Sequence, residues 1–188
     1  MGVKGDNARA KIIECAQTLF SQKGYCAVTM QDVSELSGFS RGGLYRHFPS
    51  TEEIFLEIIR LEQEAALASL DRALADQLRP DHILRGFLRS RMEKLSRPSQ
   101  SFDVAVSEFA ANSDKGREAL AKRARVSVQI LTRLIIGGNE AGVFTCADPE
   151  VTATHIMWLM EGMSRHASLM PISQAQIEAQ ITKIEQLL

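Results

Sequence analysis

Long apolar runs are missing from this sequence, since no window approaches the ~18 uninterrupted apolar residues of a membrane-spanning helix. We therefore expect no membrane segment. The first residues, MGVKGDNARAKIIECA, turn polar where the apolar region of a secretory signal would begin, and so predict no leader. Cysteine is also scarce. Cys15, Cys26 and Cys146 form an odd, scattered set without a CxxC pair, which favours a reducing cytoplasm over a disulfide framework and predicts no zinc site.

A readable catalytic arrangement is missing too. The sequence shows no Ser/His/Asp set, supported pair of carboxylates, phosphate-binding loop or metal cluster, so we predict that the protein is not an enzyme and needs no cofactor. A strong charge is also lacking, because the net charge of −1 is not that of a strongly basic nucleic-acid binder. Residues 36–51, however, contain Arg41 and Arg46 and no acid. A local positive edge can therefore exist on a neutral domain.

Apolar periodicity predicts helices along the whole chain and no strands. Ile12, Ala16, Leu19 and Phe20 follow i, i+4, i+7, i+8 spacing, which predicts an amphipathic helix over residues 8–22. Thr29 is followed three residues later by Asp32, a near capping box that predicts the start of a second, short helix ending at Gly38.

The stretch GFSRGGLYRHFPS, residues 38–50, predicts a turn and a third helix. Ser40 can act as the N-cap, Leu44, Tyr45 and Phe48 supply apolar positions, and Pro49 ends the helix. The following STEE, residues 50–53, is a capping box that opens a long helix. Two short helices joined by a glycine-containing turn form a helix-turn-helix, whose second helix lies in the DNA major groove.

The polar face of this second helix carries the groups that DNA recognition uses. The Arg41 guanidinium can bind guanine or a phosphate, and the Tyr45 hydroxyl can donate to a phosphate. Arg46 and His47 can add backbone contacts. Gly42 and Gly43 each cost about 1 kcal/mol in helix propensity, which a close approach of the backbone to DNA could offset.

Residues 29–55, TMQDVSELSGFSRGGLYRHFPSTEEIF, closely resemble the DNA-binding signature of TetR-type transcriptional repressors. The resemblance implies an all-α fold with a helix-turn-helix domain, residues 1–50, and a C-terminal effector-binding and dimerisation domain, residues 51–188. It also implies a homodimer that binds a palindromic operator and is released by a small-molecule effector. The residues do not specify the effector, the operator sequence, the regulated genes, or activation as against repression.

Carried over position by position, the resemblance places DNA contacts on the first motif helix and on the recognition helix. Three positions depart from the family pattern: Ser34 replaces the usual alanine, Phe39 replaces a small valine, and Thr51 replaces a lysine that touches phosphate. The first two imply altered packing, and the third predicts a shallower salt dependence. The predicted DNA-binding residues are Thr29, Ser40, Arg41, Gly42, Gly43, Tyr45, Arg46, His47 and Thr51.

The last two predicted helices carry two different apolar patterns. Residues 151–170 are apolar around most of the helix circumference, and Ile177, Ile181 and Ile184 form one stripe on an otherwise polar helix. The resemblance implies that both helices form a four-helix dimer interface, and burial within one chain is the alternative. The predicted interface consists of Leu159, Gly162, Met163, His166, Ile177, Ile181 and Ile184.

The middle of the chain supports two weaker hypotheses. The resemblance implies an effector pocket between the DNA domain and the dimer bundle, for which the candidates are Phe87, Arg91, Phe109, Ile130, Met157 and Trp158. Alternatively, the basic segment 115–129, KGREALAKRARVSVQ, could make the protein a helical module that recruits a protein or nucleic-acid partner without an effector. A solvated helix face is the plainer interpretation of this segment.

Overall fold

The computed structural model describes residues 3–93, 102–167 and 169–188. Within these residues the chain forms helices and no β-strand, in agreement with the predicted all-α class. Helix α1 starts earlier than residue 8, because apolar periodicity marks only the buried part of a helix. The helices are α1 (Val3–Lys23), α2 (Met30–Ser37), α3 (Arg41–His47), α4 (Thr51–Ala75), α5 (Pro80–Glu93), α6 (Phe102–Asn112), α7 (Asp114–Glu140), α8 (Pro149–Ala167) and α9 (Gln174–Glu185).

The chain divides into two compact units. Unit 1 consists of Met1–Glu64 and Ser99–Ala121, and unit 2 consists of Ala65–Pro98 and Lys122–Leu188. This division does not coincide with the boundary that we expected at residue 50. Unit 1 contains α6 and the first part of α7, which come from the middle of the sequence. The predicted DNA-binding motif therefore shares its unit with helices that we had expected in the C-terminal domain.

An aromatic cluster forms much of the core of unit 1. Phe20 and Phe55 are fully buried and meet edge to face, with ring centroids 4.7 Å apart. Tyr25 packs on Phe109 of α6 with centroids 4.6 Å apart, and Phe102 of α6 lies 4.9 Å from Phe55. Such aromatic pairs each contribute about 0.5–1.5 kcal/mol beyond their buried area. Helix α6 therefore supplies two rings to the core beneath the predicted DNA-binding motif.

Gly24 and Glu108 join the end of α1 to α6. Gly24 has φ 78°, a left-handed conformation that glycine adopts without strain, and its amide donates to the Phe20 carbonyl. The Cys26 amide donates to Glu108 Oε2 at 3.2 Å. A Cβ atom at Gly24 would lie 2.6 Å from the Glu108 carboxylate oxygens. The glycine thus serves both the turn and the close approach of this carboxylate.

The core of unit 2 is built from α5, α7, α8 and α9. The apolar stripe of α9, Ile177, Ile181 and Ile184, is fully buried among the side chains of these helices within the one chain. Ion pairs fix α9 against α5, including Arg89 with Glu178 at 2.9 Å. Our assignment of the three isoleucines to the dimer interface is therefore wrong. The periodicity was real, but its partner is α5 of the same chain.

Helix α8 buries only one side in unit 2. Ile156, Met157 and Met160 are buried, whereas Val151 and Trp158 are exposed, Trp158 with 64% of its surface. The apolar side chains that the sequence places around most of this helix are therefore not all covered by the described part of the one chain.

The six candidate pocket residues do not form one site. Phe109 belongs to the aromatic core of unit 1, and Trp158 lies on the surface of α8. Ile130 and Met157 are buried in two separate apolar clusters of unit 2, and the half-buried Phe87 packs against both clusters. Arg91 is half-buried on α5. Phe87, Arg91, Ile130 and Met157 therefore remain as the candidates inside unit 2 that are not on its open surface.

Candidate DNA interface

A capping box starts α2. Thr29 Oγ1 accepts from the Asp32 amide at 3.2 Å, and the Thr29 amide donates to Asp32 Oδ2 at 2.9 Å, as the sequence predicted. Lys23 lies 2.6 Å from Asp32 Oδ1. The hydrogen bond from Lys23, followed by those from Thr29, holds the pKa of Asp32 well below its usual range. The carboxylate thus stays charged at the N-terminus of α2, where negative charge is favourable.

Gly38 and Ser40 form the turn between α2 and α3. Gly38 has φ 76°, and its amide donates to the Ser34 carbonyl. The Ser34 hydroxyl donates to the Phe39 carbonyl at 2.6 Å. The serine at position 34 thus adds a hydrogen bond to the turn, at a backbone carbonyl that any residue in the place of Phe39 would offer. Ser40 begins α3 by accepting from the Gly43 amide at 3.2 Å.

Helix α3 is anchored by one face and presents the other to solvent. Leu44 is fully buried and Phe48, which follows the helix, is 2% exposed. Arg41 and Arg46 are exposed, and Tyr45 keeps 51% of its surface accessible. Of the three apolar positions predicted for this helix, Leu44 and Phe48 are buried, whereas Tyr45 belongs to the outer face with the two arginines. The exposed groups can donate to base edges and phosphates.

The two glycines of α3 differ in their surroundings. A Cβ atom at Gly42 would meet nothing within 4 Å, and Gly42 is exposed. Gly43 is buried, and its Cβ atom would lie 3.2 Å from Ser40 Oγ. We infer that Gly43 serves the N-cap of α3 rather than the helix surface. Gly42 is the position at which DNA could approach the backbone.

The other predicted contact positions lie at the edges of the motif. Thr29 and Ser40 are exposed, and His47 is half-buried with its ring edge-on to Phe39 at 6.4 Å. Thr51 is half-buried at the first residue of α4. Of the predicted STEE capping box, the structure shows the bond from the Glu53 amide to Ser50 Oγ, at 3.2 Å.

Arg9 contacts the C-terminal end of the recognition helix α3. The sequence analysis did not identify this residue. Its Nη1 donates to the His47 carbonyl at 3.2 Å, and its Nη2 lies 3.0 Å from Glu57 Oε1. The guanidinium carbon is 4.1 Å from the centroid of the Phe48 ring. Arg9 therefore connects α1, the C-terminus of α3 and α4. No local sequence pattern indicated this role, because the contacts of Arg9 join residues 38 or more positions apart.

Glu57 is the anion of this arrangement. The hydrogen bond from Arg60, assisted by that from Arg9, lowers the pKa of Glu57 to about 2, although partial burial opposes the shift. Arg60 Nε lies 2.7 Å from Glu57 Oε2. The carboxylate is therefore ionised at neutral pH and balances both arginines.

The basic segment 115–129 is partly neutralised within the chain. Lys115 Nζ lies 2.7 Å from Glu52 Oε1 and 3.7 Å from Glu53 Oε1, both at the start of α4. Arg117 pairs with Asp114 one helical turn away. Two of the cations of this segment thus serve unit 1 itself, which weakens the hypothesis of a module that recruits partners through this charge.

A second exposed site lies on α8 and α9. A groove of about 490 Å³ is bounded by the outer face of α8 and the polar edge of α9. Four predicted interface residues line it, together with the pocket candidate Trp158 and with an isoleucine and two glutamines that the sequence did not indicate. The lining residues are Trp158, Leu159, Gly162, Met163, His166, Ile172, Gln176 and Gln180.

No helix in the described part of the chain is long and apolar enough to cross a membrane. A capped helix, a glycine turn and a second capped helix with an exposed basic and aromatic face define a helix-turn-helix DNA-binding protein.

The comparisons with known proteins agree with this class. Residues 12–58 match the model "Bacterial regulatory proteins, tetR family", and residues 77–165 match "Tetracyclin repressor-like, C-terminal domain". The uncharacterised regulator YfiR of Bacillus subtilis is 32% identical over 166 residues, which cover 86% of this chain and 80% of YfiR. The repressor AcnR of Corynebacterium efficiens is 30% identical over 149 residues, covering 69% and 77%. The reduced form of Escherichia coli NemR has the same fold, with TM-score 0.77, 18% identity and coverage of 96% and 97%.

The chain belongs to the TetR family of bacterial transcriptional regulators. It is a DNA-binding regulator with a helix-turn-helix and a C-terminal helical domain of the kind that typically binds a ligand in this family.

Proposed function

We propose that the protein is a repressor that binds a palindromic operator as a homodimer, in the cytoplasm, through the exposed face of α3. The observation that carries this proposal is the division of α3 into an inner face, fixed by Leu44, and an outer face that offers Arg41, Tyr45 and Arg46. Within unit 1 the groups that can donate to DNA are thus held on one rigid helix.

Tyr45→Ala tests this assignment. Duplexes are first selected from a random-sequence library with the unchanged protein, and affinity is then measured by gel shift at fixed salt. A hydrogen bond worth about 1 kcal/mol, used twice in a dimer, corresponds to a loss of about thirtyfold. Leu36→Ala is the control, because Leu36 is also half exposed but lies on α2. Equal affinity of the Tyr45 variant and the control would contradict the assignment.

A second copy of the chain is the proposed occupant of the outer face of α8. Trp158 and Leu159 leave apolar surface exposed beside the groove with Gly162 and His166. Large exposed apolar patches usually mark interaction sites, and TetR-family regulators bind their operators as dimers. The buried isoleucines of α9 support α8 from behind but lie outside the interface. A dimer would carry two copies of α3, as a palindromic operator requires.

Trp158→Glu tests this face, because a charge would be buried without a partner at a two-fold interface. We expect monomers by light scattering, at a concentration where the unchanged protein is dimeric. Leu78→Glu is the matched control, since Leu78 is 52% exposed in the connection between α4 and α5. A dimer that persists in the Trp158 variant would place the interface elsewhere.

A small-molecule effector completes the proposal. Phe87 packs against two separate apolar clusters of unit 2, one containing Ile130 and the other Met157. A ligand that separated these clusters would stabilise one conformation and shift the DNA-binding equilibrium. A thermal-shift screen, followed by release of the selected duplex, tests this part. Compounds that raise the Tm and leave the duplex bound would argue for a regulator without effector release.

A further inference from the structure

Gln31 of α2 connects to the recognition helix α3 through two consecutive side-chain hydrogen bonds. Arg41 Nη2 donates to Gln31 Oε1 at 3.3 Å, and Gln31 Nε2 donates to Glu35 Oε1 at 2.9 Å. All three residues are exposed, on the two helices that flank the turn at Gly38. Among the described residues, the Arg41 side chain makes no other hydrogen bond or ion pair. Gln31 is thus the one side chain in this part of the structure that holds the Arg41 guanidinium.

The donors and acceptors of the three side chains fix the orientation of the Gln31 amide group between Glu35 and Arg41. A glutamine side chain has one acceptor oxygen and one donor nitrogen, and the Glu35 carboxylate can only accept. Glu35 therefore holds the nitrogen of Gln31, which turns the oxygen towards Arg41. The guanidinium has five donor hydrogens, and Gln31 uses one of them. The remaining donors stay available for a guanine, which needs two.

We propose that Gln31 is a positioning residue that sets the base specificity of Arg41. The inference rests on the proposed function, in which α3 enters the major groove. A flexible arginine on a surface helix can reach a phosphate or a base. With its guanidinium held at one point by Gln31, it has fewer orientations to lose on binding, so the bidentate contact to guanine is favoured over phosphate contacts.

The size of the effect follows from the cost of ordering one long side chain. That cost corresponds to about two- to tenfold in affinity for each immobilised arginine. Removing the Gln31 acceptor should therefore reduce the preference for guanine at one position of each half-site by about two- to tenfold. The preferences at other positions should remain, because α3 keeps its anchors Leu44 and Phe48.

The test compares base preferences, not overall affinity alone. Duplexes are selected from a random-sequence library with the unchanged protein, and single-base variants of the selected duplex are then measured with Arg41→Ala, Gln31→Leu and Gln31→Glu. We expect Arg41→Ala and Gln31→Leu to relax the same base pair. Gln31→Glu loses the donor to Glu35 but offers Arg41 a carboxylate, which is a stronger acceptor than an amide. It should therefore keep the preference, even though its added charge lowers affinity for every duplex. Gln22→Leu, an exposed glutamine on α1, is the control.

Three outcomes would overturn the inference. If Gln31→Leu weakens all duplexes equally, Gln31 acts only on the stability of α2 or on a phosphate. If it relaxes a base pair other than the one that Arg41 controls, Gln31 reads DNA on its own. If Arg41→Ala changes no base preference, Arg41 contacts the backbone. Failure of the unchanged protein to select any duplex would instead refute the proposed function.

Discussion

Arg9 provides the sharpest test of how unit 1 holds its recognition helix. Arg9→Ala removes a charged hydrogen bond to the His47 carbonyl, an ion pair with Glu57 and the packing of the guanidinium on Phe48. A hydrogen bond from a charged donor contributes about 1.5–3 kcal/mol, and a cation–π contact at a partly exposed site about 0.5–1 kcal/mol. The Arg9 side chain is 37% exposed, so solvent screening reduces the ionic part. We expect a loss of about 2 kcal/mol in the free energy of unfolding.

The assay is thermal unfolding at neutral pH. For a chain of this size 1 kcal/mol shifts the Tm by about 2–4 °C, so Arg9→Ala should lower it by about 4–8 °C. Lys11→Ala, an exposed cation two residues further along α1, should change it little. Arg9→Lys should lie between the two, because an ammonium cannot make the forked contact. A Tm for Arg9→Ala equal to that of Lys11→Ala would refute the role of Arg9.

The pH dependence gives an independent check on the same contact. Glu57 has a pKa of about 2 in the folded chain, below its ordinary value of 4.5. Its ionised form therefore contributes stability that is fully present above about 4.5 and is lost as the pH falls towards about 2. The Tm difference between Arg9→Ala and the unchanged protein should shrink over this range. A Tm difference that stays constant down to pH 2.5 would mean that the ion pair between Arg9 and Glu57 contributes nothing to the stability.

Two further predictions concern the turn after α1 and the core of unit 2. Gly24→Ala should lower the free energy of unfolding by about 1–2 kcal/mol, because a side chain at φ 78° is strained and crowds the Glu108 carboxylate. Gly86→Ala, in open space on α5, should instead stabilise by up to about 1 kcal/mol, and chemical denaturation compares the two. Ile181→Asp should unfold unit 2, at a cost of about 4 kcal/mol or more, since it places a charge in the core. A folded, soluble monomer from this variant by circular dichroism and light scattering would restore our original interface assignment.

Local patterns were enough to predict the helix-turn-helix. The stripe of Ile12, Ala16, Leu19 and Phe20 is buried, and Thr29 and Ser40 cap the helices that follow them. Each of these features depends on residues within about eight positions of one another. Helix periodicity and capping are set by such short-range interactions, so the sequence displays them directly.

Features that join distant residues could not be predicted in the same way. The stripe of α9 shows that Ile177 and Ile181 need an apolar partner, but periodicity does not distinguish α5 of the same chain from a second copy. Phe109 was assigned to a ligand pocket because its sequence position gave no hint of Tyr25 and Phe55. Arg9 lacked a local signal for the same reason. Contacts across tens of residues depend on the tertiary fold, which local sequence patterns do not specify.

The membership of α6 in unit 1 has a consequence for engineering this regulator. A chimaera that takes only residues 1–50 or 1–60 of this chain would contain the helix-turn-helix motif. It would lack the rings of Phe102 and Phe109, which complete the core of unit 1. The two missing rings would leave a large cavity in that core. Such a cavity lowers the free energy of unfolding by several kcal/mol, which is a large part of the stability of a small domain. Transplanting the operator specificity of this chain therefore requires moving residues 102–121 together with the N-terminal helices, as two separate pieces of sequence.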